Sequence, residues 1–112
     1  MIKLNQIHIT ENMITQNGKI ILIGIREIVE YVEGQRTDKT IGYAYNCVAT
    51  GNKYAQFIVK VNQKKPVISN EELENLGGQV EVLFTDFVGK FYQNASKEVI
   101  FTSTAAGIEV IR

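Results

Sequence analysis

The chain has 112 residues, 45% of them hydrophobic and 21% charged, with a single proline; this is the size and composition of one folded domain and excludes a disordered or fibrous chain. One cysteine, Cys47, and one histidine, His8, exclude an internal disulfide and a Cys/His metal cluster, and twelve basic residues cancel twelve acidic ones. The longest apolar run is Ile20 to Ile23, too short for a signal peptide or a membrane span. The expectation is a cytoplasmic protein with one domain over residues 1–112, in which residues 1–18 form a loosely packed N-terminal segment.

In chain order, Ile2, Leu4, Ile7 and Ile9 make a short alternation that suits an edge strand, and the polar stretch Thr10 to Asn17 reads as a loop. Lys19 to Val32 is rich in isoleucine and valine, which are better accommodated on a pleated strand than on a helix. One long strand is predicted there, with Gly24 marking a bulge or bend. Glu33 to Lys39 is polar and reads as a hairpin loop. Thr40 to Ala49 forms a second strand and Tyr54 to Asn62 a third, joined by the turn Thr50-Gly51-Asn52-Lys53. The third strand alternates most clearly, with Phe57, Val59 and Val61 on one side and Tyr54, Ile58 and Lys60 on the other.

After Pro66, Ser69 followed by Glu72 is a helix-capping pattern, and Gly77 stops a helix of about two turns. Val80 to Thr85, Lys97 to Thr102 and Gly107 to Ile111 read as strands; Phe87 to Tyr92 prolongs the first of these or stands alone, and Gln93 to Ser96 turns the chain. Three consecutive strands, a helix and further strands are the element order of an OB-fold, a five-stranded β-barrel whose helix lies between strands three and four. A mainly β, five-stranded OB-like barrel with one short helix is therefore the expected architecture, with other small barrels and sandwiches as alternatives.

The charge is unevenly spread: residues 34–65 hold six basic side chains, Arg36, Lys39, Lys53, Lys60, Lys64 and Lys65, against the single acidic Asp38. A local positive surface can arise this way in a neutral chain. Sequence-tolerant binding of single strands needs aromatic faces for base stacking and cations for the phosphates. The candidates are Tyr43, Tyr45, Tyr54 and Tyr92 for stacking and Arg36, Lys39, Lys53, Lys60, Lys90 and Lys97 for the backbone. A register that exposes Tyr43 and Tyr45 makes a platform with Tyr54; the opposite register turns them into the core.

No nucleophile, paired base or phosphate loop is recognisable: Gly77-Gly78 follows a helix, and Glu71, Glu72 and Glu74 suit the helix dipole. No catalytic residue, cofactor or metal is expected.

Ile23-Gly24-Ile25-Arg26-Glu27-Ile28-Val29, the Tyr43/Tyr45 strand, Phe57-Ile58-Val59-Lys60-Val61, Gly78-Gln79-Val80-Glu81-Val82 and Ala105-Ala106-Gly107-Ile108-Glu109-Val110 form a pattern spanning roughly residues 19–111. It resembles that of the small OB-like proteins of conjugative transposons and related mobile elements of Gram-positive bacteria. Some of those act as helicase processivity or single-strand-binding factors. Pro66 fits the family's proline after the third strand, while Phe84-Thr85-Asp86-Phe87 replaces its asparagine-proline pair after the fourth. The resemblance implies a replication-accessory role with single-stranded DNA as ligand and a helicase or relaxase as partner. The alternative reading is a protein-interaction or structural module: the barrel presents an edge to a partner or to itself as a homo-oligomer, and the acidic part from Glu71 to Asp86 meets a basic partner.

Overall fold

The computed structural model describes residue 3 and residues 6–111. Ile2 and Leu4 of the N-terminal alternation lie outside the described residues. The β-branched run after Lys19 forms β2 (Ile20–Val32), which pairs antiparallel with β3 (Gln35–Ala49). In place of the expected loop from Glu33 to Lys39, the two strands join through a two-residue turn with φ of 51° at Glu33 and 80° at Gly34. Left-handed residues at both central positions match the twist of the flanking strands, so pairing continues to Val32 and Gln35. The bend expected at Gly24 is present as a register shift between Leu22 and Gly24, with Ile23 as the extra residue.

β4 (Ala55–Val61) follows β3 through a turn in which Lys53 and Tyr54 both have positive φ, 53° and 59°. The turn is anchored from below by α1 (Glu11–Thr15). There Asn52 Nδ2 donates to Ile14 O at 2.9 Å, and Thr50 Oγ1 accepts from Lys19 N at 2.9 Å. α1 occupies the stretch expected to be a loop: the Thr10 hydroxyl accepts from Met13 N, and Thr15 is buried. Capping supplies part of what the weakly patterned sequence lacks in helix propensity. The segment before β2, expected to pack loosely, places Ile14 against the core.

The helix after Pro66 is α2 (Asn70–Asn75), with the Ser69 hydroxyl accepting from Glu72 N at 3.0 Å and Leu73 buried. β5 (Val80–Thr85) pairs with β2, and β6 (Val88–Gln93) forms a hairpin with β7 (Val99–Ala105). β7 lies parallel to β4. β8 (Gly107–Val110) pairs with β5, and β1 (His8–Ile9) with β6. The order is β1-β6-β7-β4-β3-β2-β5-β8, with antiparallel pairing throughout except for β4 and β7.

The structure is mainly β, as expected, but the sheet has eight strands, is not closed by hydrogen bonding, and is accompanied by two helices among the described residues. The difference has a local cause. The segment Val88–Gln93 pairs with β7 and β1 and not with β2 to β5, which adds strands beyond the expected five. The last segment is divided at Ala106, whose N–H donates to Thr85 O at 2.8 Å, so its first half lies on β4 and its second on β5.

One apolar core joins Leu22, Tyr45, Cys47, Phe57, Val59, Val61, Leu73, Val82 and Phe84, with Phe101, Ile108 and Val110 packed against it. Ile108 and Val110 of β8, at one end of the strand order, meet there with Phe101 and Ala105 of β7, third from the other end, so the sheet curls around a common interior.

Candidate functional site

In a half-buried sheet, alternate residues face the core and the rest form the opposite face. Because Tyr45, Cys47, Phe57 and Val59 go inward, the outward set on the three central strands is fixed by register. One cross-strand row is Gly24, Asn46 and Ile58, and the next is Arg26, Ala44 and Lys60. The second row continues through Thr104 on β7 to Val88 on β6. On β6 the same face carries Lys90 and Tyr92, opposite Thr102 and Ile100.

Four concavities tile this face and share residues. Gly24, Ile25, Arg26, Ala44, Asn46 and Ile58 line a cavity of about 270 Å³. Asn46 and Ile58 belong also to a second, of about 330 Å³, with Gln56 and Phe101. Gln56 belongs to a third with Ile21, Val48 and Tyr54. Arg26 links the first to a fourth, which reaches Tyr31 and Arg36 at the far end of the β2–β3 hairpin. Together they make one trough, about 30 Å long at roughly 3.3 Å per strand residue between Ile21 and Tyr31.

Its floor mixes apolar Ile58 and Val48 with the amides of Asn46 and Gln56, and its walls carry Arg26 and Arg36 with Glu27 between them in the lining. Ile58 is 43% exposed and Tyr54, held out by its left-handed backbone, is 71% exposed. β4 and β7 are in register only over Val59–Val61 and Ser103–Ala105, and in the gap before that the half-buried Phe101 shows beside Gln56 and Ile58. Arg26 and Lys60 flank Ala44 about 10 Å apart, two strand spacings. No acidic residue shares their row, and neither forms an ion pair among the described residues.

The residues singled out in the sequence divide accordingly. Tyr54 lines the trough, Lys60 stands on the same face beside Ala44, and Lys90 and Tyr92 continue that face onto β6. Arg36 stands at one end, paired across the hairpin with Tyr31. Lys39 is turned aside to Glu30, at 3.8 Å, an exposed pair of little energetic weight. Lys53 and Lys97 sit in separate turns with positive φ. The basic third of the chain therefore does not gather in one place.

Tyr45 is not a platform. It is fully buried; its hydroxyl donates to Gln63 Oε1 and accepts from Val67 N at 3.0 Å, which pins the segment between β4 and α2. Burial raises its pKa above the ordinary tyrosine value. Tyr43 is on the same side, half-buried against the core. The register that would expose both is thus corrected: Gly42, Ala44, Asn46 and Val48 take the outward places, since only the opposite set meets Phe57, Val59 and Val61.

Arg26, Asn46, Ile58 and Phe101 are trough residues that the sequence did not single out as a site. The alternation of β4 already turned Ile58 outward; nothing local marks the other three. Comparison with protein-family models, with curated proteins and with solved structures gives no match.

Proposed function

We propose that this protein is a non-catalytic single-stranded DNA-binding or replication-accessory protein of a mobile genetic element, with the strand lying in the trough over β2, β3 and β4. The observation that carries the reading is the row Arg26–Ala44–Lys60, two cations with no ion pair among the described residues on either side of Ala44, with Ile58 beside it. Cations spaced this way meet successive phosphates, while the exposed Tyr54 and Tyr92 offer faces to bases. The mobile-element part of the reading rests on the sequence resemblance.

The topology supports the reading. β2, β3 and β4 form a meander, α2 follows β4, β5 returns to β2, and the bent segment of β7 and β8 joins the outer strands β4 and β5. We read these as the five strand paths of an OB-like barrel, carrying β1 and β6 as additions. In such barrels the face of the central strands binds oligonucleotides.

Fluorescence anisotropy with a labelled oligonucleotide tests it. Binding is expected at low salt, with an affinity that falls on a log–log salt slope of about −2 if Arg26, Lys60 and Lys90 each neutralise one phosphate. Arg26→Glu with Lys60→Glu abolishes it. Absence of binding at low salt, or binding indifferent to that double change, overturns the proposal.

A second reading, a protein-interaction module, is favoured by the sheet edges. Among the described residues β8 pairs with β5 alone and β1 with β6 alone, which leaves strand edges open to a homo-oligomer or to a helicase or relaxase. Light scattering on the purified protein distinguishes self-association.

A further inference from the structure

The trough is not uniform along its length. At its centre the outward positions are small: half-buried Gly24 and, only 3% exposed beneath its neighbours, Ala44 stand diagonally across β2 and β3, flanked by Arg26, Ile25 and Ile58. The gap between them is the cavity of about 270 Å³, a little below the range of whole-ligand pockets and suited to one flat ring system. Gly24 is not small for the sake of its backbone. Its φ is not in the left-handed region, and a Cβ there would meet only Asn46 Cβ, at an ordinary 3.7 Å. What its small size leaves is room.

Asn46 lines the same cavity, half-buried, and its side-chain amide has no hydrogen-bond partner among the described residues. A partly desolvated amide presents an N–H donor and its carbonyl acceptor side by side, a pair that one base edge can satisfy. Resting on the reading of the trough as a single-strand site, we propose that this notch receives one unstacked base and selects adenine through the Asn46 amide. Adenine sets its N6 donor beside an acceptor on both edges, N1 on one and N7 on the other, so it pairs with an amide whichever way the ring enters. Cytosine and thymine have one such edge each. Guanine likewise matches on its Watson–Crick edge alone, through O6 and N1–H; its N7 edge presents two acceptors, which suits an arginine and leaves the amide oxygen unmatched. Ile58 supplies an apolar wall for the ring, and Arg26 in the adjoining row takes the phosphate.

The test is anisotropy with labelled oligothymidylate of about a dozen nucleotides, a length within single-strand site sizes, carrying one central adenine, guanine or cytosine or none. The adenine oligonucleotide is expected to bind the native protein about tenfold more tightly than oligothymidylate. Asn46→Ala is expected to level the series, and Gly24→Leu, which fills the notch, to do the same while both variants retain salt-sensitive binding. Thermal melts confirm that each variant is folded. If all four oligonucleotides bind the native protein alike, or adenine preference survives Asn46→Ala, the notch does not read a base although the trough binds. A guanine preference that is lost with Arg26→Lys overturns it equally. No binding of any oligonucleotide removes the trough reading itself, and the notch with it.

Discussion

Gly18 and Gly51 meet backbone to backbone: a Cβ placed on Gly18 would lie 2.2 Å from Gly51 N, and one on Gly51 would lie 2.5 Å from Thr15 O. The contact seats the end of α1 against the β3–β4 turn, where Thr50 N donates to Lys19 O at 3.0 Å. Backbone cannot move aside as a side-chain tip can. Gly18→Ala is therefore expected to destabilise the fold by ~3 kcal/mol, the upper part of the overpacking range, read as a lower urea midpoint at unchanged m.

Gly24 behaves in the opposite way. With an ordinary contact and a backbone that any residue can adopt, Gly24→Ala removes chain entropy from the unfolded state at little steric cost. A gain of roughly 0.4–1 kcal/mol is expected in urea unfolding. A loss would mean that the bulge at Ile23 needs glycine for its geometry.

Cys47 is buried among apolar side chains, and this pushes its thiol up from 9.0 to about 12. The unfolded chain then releases its thiol proton at lower pH than the folded one. The contribution to stability is complete below pH 9 and is lost as pH rises toward 12. Between these limits stability should fall by about 1.4 kcal/mol per pH unit from this group, and the buried Tyr45, whose pKa is also raised, adds to the fall at the upper end. Denaturant unfolding of Cys47→Ala at pH 8 and pH 10 checks this: the variant is weaker at both values but shows a flatter pH dependence.

The parts of the fold that could be read in the sequence are those where local pattern and core agree. Phe57, Val59 and Val61 alternate, and each meets the same interior; Ser69 caps the helix that Gly77 ends; Gly24 adjoins the bulge. The orientation of Tyr45 was not legible, because a tyrosine suits either face of a strand. The partners that settle it, Gln63 and Val67, are brought back by a loop that follows another strand. The pairing of Arg26 with Ala44 and Lys60 was hidden for a related reason. The bulge after Leu22 shifts the register by one residue, and a shift of one exchanges the two faces of a strand. Phe101 enters the trough only because β4 and β7 part beside it, which depends on pairing between segments far apart in the chain.

The bent segment that carries β7 and β8 also bears on how the chain reaches this arrangement. The β2–β3–β4 meander closes through neighbouring residues, whereas the bonds from β7 to β4 span contacts such as Ser103 Oγ to Ile58 O, 45 residues apart. Contacts of that separation incur the loop-closure entropy before they return any stability, and they slow folding. Until that segment docks, β4 and β5 both show unpaired edges. Its arrival covers the two at once, because the halves on either side of Ala106 cannot travel apart. Docking of that segment therefore removes two sites for intermolecular strand pairing in one event.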